Sequence, residues 1–398
     1  MKKKILFMVI NMNIGGTEKA LLNMVAEMPE DEYDITILML EKYGGFLDSI
    51  PSKVHVEYLQ EYSKIKEKLN KPPKKVAMSF IKKGKLIKGF EFSFIVLLSK
   101  LTKNKCIFFK YLLRDIPEFE NEYDVAIAYA GPMDFISYFI SAKIEATKRI
   151  QWIHFDTTKI GFSVDFAKRI YKQFDKLFVV SEEANNKLIE FVPKLKGKTE
   201  VFLNMISPKL IYSQSKEGKG FDDEFNGLRI LTVGRLKAEK GQDMAIRALS
   251  RIIKDGYQVK WYCLGEGSSR SEFEQLIKEY NLQGKFVLLG TDINPYPYIA
   301  QCDLYVQPSR YEGYCITLSE ARCLGKPIVT TNVNGAIEQI QNGRTGLIVD
   351  IDENAIFYGL KKMLDDKYLR QKFSENLSKE YVGTKSELDK LYQITNLV

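Results

Sequence analysis

Two carboxylates, Glu312 and Glu320, stand eight residues apart in the stretch Pro308-Ser309-Arg310-Tyr311-Glu312-Gly313-Tyr314-Cys315-Ile316-Thr317-Leu318-Ser319-Glu320. The first falls in a Pro/Ser/Gly loop and the second in an apolar-periodic run. Upstream, Asp303–Val306 reads as a short strand. Ile316, Leu318, Ala321 and Leu324 suit a helix that begins near Cys315. Glu312 is then expected in front of a helix N-terminus and Glu320 about two turns inside it. Eight residues at helical rise span roughly 12 Å, comparable to the separation of sugar and ribose in one nucleotide sugar. Backbone N–H groups between the two would face an anion, and the helix dipole would add to that. The same residues also describe an ordinary helix with one N-terminal and one solvated Glu. The stretch alone does not separate the two readings.

Other constellations bear on the choice. Gly234-Arg235-Leu236-Lys237-Ala238-Glu239-Lys240-Gly241 follows a strand and precedes a helix. Gly234 permits a tight turn. Arg235 and Lys240 are then expected at the strand tip, where a guanidinium fork and an ammonium point charge can clamp a diphosphate. Basic residues at helix starts are common, so this too is open alone. Gly265-Glu266-Gly267 also follows a strand. It approximates the dinucleotide fingerprint but lacks its third glycine, and the first turn of the chain is Gly15-Gly16. A nicotinamide enzyme is therefore disfavoured, and a nucleotide-contacting loop fits better. Asp350-Ile351-Asp352 has the form of a metal motif, yet it sits between a strand and a helix, where a cap reading is available. His154 ends a strand in Gln151-Trp152-Ile153-His154-Phe155-Asp156. Such a histidine is commonly structural, but the carboxyl end of a parallel strand is where ligands bind. Asp156 could orient the ring or reach the substrate itself.

The elements that must position these groups alternate. Lys4–Val9 is a continuous apolar run, as expected of a strand buried on both faces. Gly15-Gly16 makes a tight turn, and Thr17 is expected to cap the following helix. Strands are expected near Asp34–Leu40, Val54–Tyr58, Asp124–Tyr129, Arg149–His154, Lys176–Val180 and Thr199–Leu203. Helices are expected at Val76–Ile87, Phe92–Lys103, Pro132–Ala142 and Glu182–Phe191. The polar, aperiodic stretch 213–226 reads as a linker. Alternation then restarts with strands near Arg229, Gln258, Phe286, Asp303, Pro327 and Gly346 and helices between and after them. This pattern predicts α/β architecture with two doubly wound, Rossmann-like domains facing across a cleft. The expected division is 1–212, a linker at 213–226, 227–380, and a C-terminal helix in 381–398 that packs back on the first domain.

With 398 residues, two domains are the default, and 45% hydrophobic with 28% charged residues describes a globular chain. Five scattered cysteines without a C-x-x-C and only two histidines point away from a disulfide framework or a zinc cluster, and towards a reducing cytoplasm. Met1–Ile10 resembles a signal peptide, but Asn11 interrupts it and a buried first strand is the stronger reading. No run reaches the roughly 18 apolar residues of a membrane span.

Net charge is +8 and is concentrated. Lys74–Arg114 holds eleven Lys or Arg against one acid, Glu91, so the remainder of the chain is slightly acidic. A basic helical insertion, about 60–115, has three readings: a solvated hairpin, a nucleic-acid patch or a membrane surface. Phe80, Ile81, Ile87, Phe90, Phe92, Phe94, Ile95, Leu97 and Leu98 interleave with the lysines, which suits anionic headgroups. A nucleic-acid site would bring more Arg and a recognisable module.

Taken together, these motifs resemble the retaining GT-B glycosyltransferases, in particular glycosyltransferase family 4. The resemblance covers nearly the whole chain and is strongest at Val233–Gly241, Gly265–Gly267, Asp303–Glu320 and Asn334–Gly346. It implies that Arg235 and Lys240, beside Gly234, hold the donor diphosphate and that Glu320 binds the ribose. Glu312, with Gly313 and Tyr314, would meet the transferred sugar or its phosphate, flanked by Ser309 and Cys315. Gly265 and Glu266 would contact the nucleotide. Gly15, Gly16 and Asp156 would line the acceptor side, Gly16 also nearing the β-phosphate. His154 matches a family histidine near the reacting carbon. The resemblance further implies retention at the anomeric carbon, a front-face mechanism, no metal and no cofactor beyond a nucleotide-sugar co-substrate, UDP-linked. Tyr314, Cys315 and Asn334-Gly335 depart from the common pattern and leave the donor sugar open. The Lys-rich insertion, Lys74–Arg114, suits members that glycosylate lipid-linked acceptors at the inner membrane face. Neither nucleic acid nor metal belongs to this reading. The rivals are a nucleotide-sugar epimerase of the same architecture and a catalytically silent sugar-nucleotide or membrane-binding protein.

Overall fold

The structure is a computed structural model describing residues 2–117, 119, 121–154, 162–380 and 383–396. The chain forms two compact units, Met1–Leu203 with Ser386–Val398, and Asn204–Lys385. In the first, a seven-stranded parallel sheet has the order β3-β2-β1-β4-β5-β6-β7. Its strands are β1 (Lys3–Val9), β2 (Tyr33–Met39), β3 (His55–Tyr58), β4 (Glu122–Ala128), β5 (Glu145–Ile153), β6 (Lys176–Val179) and β7 (Thr199–Val201). β1 is central and buried over Ile5–Val9, which is why its sequence is apolar without alternation.

The second unit has a six-stranded sheet, all its neighbours parallel, in the order β10-β9-β8-β11-β12-β13. Its strands are β8 (Leu228–Val233), β9 (Val259–Leu264), β10 (Phe286–Gly290), β11 (Leu304–Gln307), β12 (Ile328–Thr331) and β13 (Leu347–Val349). Trp261 and the apolar face of the helix Gln242–Lys254, with Ala245, Leu249 and Ile252, anchor its core. Strand order reverses direction at β1/β4 in one sheet and at β8/β11 in the other. Those switch points are where a doubly wound sheet opens a crevice at its carboxyl edge.

Several expectations are corrected. The helix Gly16–Glu27 is capped by Gly15, whose backbone is extended, and not by Thr17, which lies inside the first turn. The helix read as Val76–Ile87 ends at Lys82, and its successor runs from Leu86 to Leu101. The break is at Gly84, whose φ of 71° is the left-handed conformation that glycine adopts without penalty. The helices Tyr62–Asn70 and Lys105–Leu113 were not legible as such. The stretch 213–226 lies inside the second unit, and the chain passes between units at 203/204 and 385/386. Asp223 explains this placement: its carboxylate accepts from Arg229, Lys260 and Tyr262, which tie the stretch to β8 and β9. The C-terminal helix Glu387–Thr395 belongs to the first unit, with Tyr392 stacked on Tyr33 and Lys390 donating to the Val201 carbonyl.

Candidate active site

In the second unit, four loops meet at the carboxyl edge of the sheet. β8 runs into Gly234–Lys240, and Gly241, at φ 72°, starts the helix Gln242–Lys254. A side chain on Gly241 would put its Cβ 1.9 Å from the Pro308 carbonyl oxygen. Gly265 and Gly267 press in the same way on Gly234 and Leu236, where a Cβ would lie 2.0 and 2.2 Å from their carbonyl oxygens. A Cβ on Gly335 would come within 2.8 Å of the Tyr314 carbonyl. These glycines allow backbone to lie on backbone, which sets the loop after β8 beside the loop after β11.

That contact brings Lys240 to Glu312. Lys240 Nζ donates to Glu312 Oε2 at 2.7 Å, and the Glu312 residue is only 6% exposed. Glu312 Oε1 accepts from Ser309 Oγ at 2.6 Å and from Gln307 Nε2 at 3.0 Å. Gln307 ends β11 and in turn accepts from the buried Tyr305 hydroxyl at 2.9 Å. Burial pushes the Tyr305 phenol well above its ordinary range, so it stays a proton donor. A buried carboxylate needs both a counter-charge and filled lone pairs to offset lost hydration, and here it has them. The loop itself is pinned by Arg310, which donates to both Asp243 carboxylate oxygens at 2.6 Å, and by Thr331, which donates to the Ser309 carbonyl. Burial would raise the Asp243 carboxyl, but the Arg310 hydrogen bonds outweigh it and hold it below the usual range.

The remaining candidates are placed as follows. Arg235 is 55% exposed at its side chain and pairs with Glu239 Oε1 at 3.2 Å, outside the Glu312 network. Glu266 pairs with Arg270. The helix Ile316–Cys323 starts where expected, next to Cys315, and Glu320, its fifth residue, lies in its second turn. Its carboxylate accepts from the Tyr296 hydroxyl at 2.9 Å. Burial, then the neighbouring Glu320 carboxylate, lifts the Tyr296 phenol well above its ordinary range. Cys315 caps that helix at φ 60°, where a glycine would be unstrained. Burial pushes its thiol up to about 12, Glu312 adding to the effect, so Cys315 is a neutral group and not a nucleophile. The Tyr314 carbonyl accepts from Gln339, whose own amide oxygen takes the Ser319 hydroxyl. Asp352 caps the helix Glu353–Asp365, accepting from the amides of Asn354 and Ala355 at 2.7 and 3.0 Å.

In the first unit, β1, β4 and β5 are neighbours, so their carboxyl ends lie side by side. Gly15 and Gly16 open the helix after β1. His154 follows β5, buried, with its amide on the Gly131 carbonyl at 3.1 Å and the Tyr129 ring edge-on at 4.5 Å. A Cβ on Gly131 would fall 1.7 Å from the Trp152 carbonyl oxygen, so glycine is required for these strand tips to meet. Asp156 lies outside the described residues.

Gln307, Gln339, Tyr296 and Tyr305 escaped the sequence reading. Gln307 carried one faint signal, a polar residue closing the apolar run Leu304-Tyr305-Val306. The other three had none.

Residues 219–380 match the family model described as glycosyl transferases group 1. A relative in Campylobacter jejuni is N-acetylgalactosamine-N,N'-diacetylbacillosaminyl-diphospho-undecaprenol 4-alpha-N-acetylgalactosaminyltransferase. It is 38% identical over 178 residues, which is 44% of this chain, and the match spans 47% of the relative's own length. An uncharacterized glycosyltransferase of Methanocaldococcus jannaschii is 25% identical over 72% of this chain and 83% of its own. Among solved structures, Anabaena HepE in complex with UDP and glucose superposes over 100% of both chains with a TM-score of 0.70 at 17% identity. At that identity the likeness speaks for the fold. With the two parallel-sheet units, it establishes the GT-B fold of glycosyltransferases.

Proposed function

We propose that the protein is a retaining glycosyltransferase. It moves a hexosyl or N-acetylhexosaminyl group from a UDP-sugar onto a lipid-linked glycan or surface-polysaccharide precursor at the inner face of the cell membrane. The observation that carries this reading is the Lys240–Glu312 pair, its carboxylate buried and its ammonium partly so, at the switch point of the sheet in the unit that the family model matches. The Campylobacter relative is named for transfer to a diphospho-undecaprenol-linked sugar, and the Anabaena neighbour holds UDP and glucose. Both favour the chosen donor and acceptor classes.

Breaking a sugar–diphosphate bond builds negative charge on the departing phosphate. Lys240 is a fixed cation held for that charge, and Arg235, exposed and only loosely paired to Glu239, is free to swing onto the diphosphate. Glu312 orients the Lys240 ammonium before donor binds and then meets the sugar or its phosphate. Ser309 and Gln307 fix the Glu312 rotamer, so little reorganisation accompanies the reaction. Glu320 anchors the ribose, and His154 serves the sugar near its reacting carbon. With the leaving phosphate as base, a second carboxylate is not needed, and charge supplied by Lys240 and Arg235 replaces a divalent cation.

The test is UDP release from a panel of UDP-sugars with a polyprenyl-diphosphate-linked glycan as acceptor, followed by the anomeric configuration of the product. An α-linked product from an α-donor, undiminished by chelator, is expected. Inverted product, or conversion of the donor to an epimer without acceptor, overturns the reading.

A further inference from the structure

The helix Leu86–Leu101 turns six large apolar side chains outward. Leu86, Ile87, Phe90, Phe94, Leu97 and Leu101 are each between 53% and 84% exposed. Their spacing of three and four residues sets them on one helical face. The opposite face is held in place. Phe92 is fully buried with its ring centroid 6.0–6.2 Å from those of Phe80, Phe108 and Tyr111, and Gly89 faces the helix Pro73–Lys82. The outward stripe is therefore not a consequence of a loose helix. A contiguous apolar surface of this kind on a folded chain marks an interaction site.

The charge around the stripe says what covers it. Lys82, Lys83, Lys85, Lys88, Lys100 and Lys103 are all exposed, on this helix, its ends and its paired helix. Over Lys74–Arg114, Glu91 is the single acid, and it is occupied by Arg114. Two copies of the chain meeting here would bring like charges together. A nucleic acid would take the lysines and leave the stripe wet. A bilayer of anionic lipid offers both an apolar interior and negative headgroups. The stripe from Ile87 to Leu101 is about 21 Å long at helical rise, short of the roughly 30 Å hydrocarbon core. Among the described residues no helix is long and apolar enough to cross a membrane.

We propose that the outer face of Leu86–Leu101 lies in the plane of an anionic bilayer, with its apolar stripe at the acyl boundary and the flanking lysines on the headgroups. This goes beyond the transfer reaction, and its test reads binding alone, so it can fail while the transfer reading stands.

The test uses the full chain carrying Phe94→Trp, since Trp152 and Trp261 are buried. Vesicles of phosphatidylcholine, alone or with added phosphatidylglycerol, are compared by Trp emission and flotation. A blue shift and flotation with anionic vesicles, lost with neutral ones or in high salt, are expected. Phe90→Ser with Leu97→Ser should leave the unfolding temperature unchanged and weaken binding at least tenfold. Lys85→Gln and Lys88→Gln should each weaken it about fivefold at low salt. UDP release onto a water-soluble acceptor should not move in any of these variants. An unshifted Trp emission, or equal binding by the Phe90→Ser, Leu97→Ser variant, overturns the proposal. A dimer in sedimentation that this variant abolishes also overturns it, because a second copy would then cover the stripe.

Discussion

Lys240 Nζ sits 2.7 Å from Glu312 Oε2, across a turn that only Gly241 can make, and Ser309 and Gln307 hold the other carboxylate oxygen. The two charges come from the tips of different strands, β8 and β11, so neither can be moved without the other. Glu312→Gln keeps the shape and removes the charge. It should lower kcat by about 10²–10³-fold while KM for the donor changes little, the size expected when one preorganised electrostatic group is lost. Lys240→Ala should cost a similar factor, and the double variant much less than the product of the two, because the groups act as a unit. Steady-state kinetics of the three variants check this. Fully multiplicative losses would show that the pair is not a unit.

Gln307 tests whether rotamer control matters in itself. Gln307→Leu leaves Lys240 and Glu312 in place but removes one of two donors to Glu312 Oε1 and the acceptor of Tyr305. A carboxylate free to tilt should reduce kcat roughly 10–100-fold. Gln307→Glu would place a second carboxylate against Glu312 and should be worse. Circular dichroism and unfolding temperature identify any variant whose loss is only misfolding. If both variants keep wild-type kcat, Gln307 has no positioning role.

On the proposed ribose role, Glu320 is expected to behave differently, since ribose would be bound equally before and during transfer. Glu320→Gln should raise donor KM about tenfold with kcat nearly unchanged, the pattern of lost uniform binding. Tyr296→Phe removes the hydroxyl that Glu320 accepts at 2.9 Å and should raise KM in the same direction by a smaller factor. A fall in kcat at constant KM in Glu320→Gln would move this residue to the reacting sugar.

Much of the fold was readable because strands buried on both faces are apolar without alternation, and those of Lys3–Val9 and Val259–Leu264 stand out from polar flanks. Glu312, Arg235 and Lys240 were readable because they are charged residues in loops that follow apolar strands, and Glu320 because it interrupts the apolar run of a helix. Their partners were not. Gln307, Gln339 and Tyr296 act through contacts with residues 5–25 positions away in the chain, and a lone amide or phenol has no periodicity to announce it. The stretch 213–226 misled for the same reason. Its polarity suggested solvent, whereas Asp223 spends that polarity on three side chains of the neighbouring strands.

Gly241→Ala and Gly256→Ala separate strain from collision. Both glycines have left-handed backbone, φ 72° and 88°. Around Gly256 a Cβ would meet nothing within 4 Å, whereas at Gly241 it would strike the Pro308 carbonyl oxygen. Gly256→Ala should therefore cost only the conformational penalty, about 1–2 kcal/mol. Gly241→Ala should cost more, and by displacing the loop that carries Glu312 it should also lower kcat. Thermal unfolding with donor kinetics checks both. Equal activity in the two variants would mean that the Pro308 contact does not set the site.

Asp223 gives a pH signature. Burial acts to raise its carboxyl, but hydrogen bonds from Lys260, Tyr262 and Arg229 prevail and bring it down to about 2, below the ordinary 3.8. A carboxyl whose folded pKa is depressed contributes stability above its unfolded pKa and loses it as pH falls through the folded value. Its contribution should be nearly full at pH 5, shrink from about pH 4 as the pH falls through the folded value, and be gone only near pH 1. Asp223→Asn carries no such proton. It should be less stable than wild type at pH 6, by about 1–3 kcal/mol for weakened charge-assisted hydrogen bonds. The gap in unfolding temperature between the two proteins should narrow as pH is lowered from 4 towards 2, other carboxylates being common to both. A gap that stays constant or widens in that interval would show that Asp223 is not held ionised by its three donors.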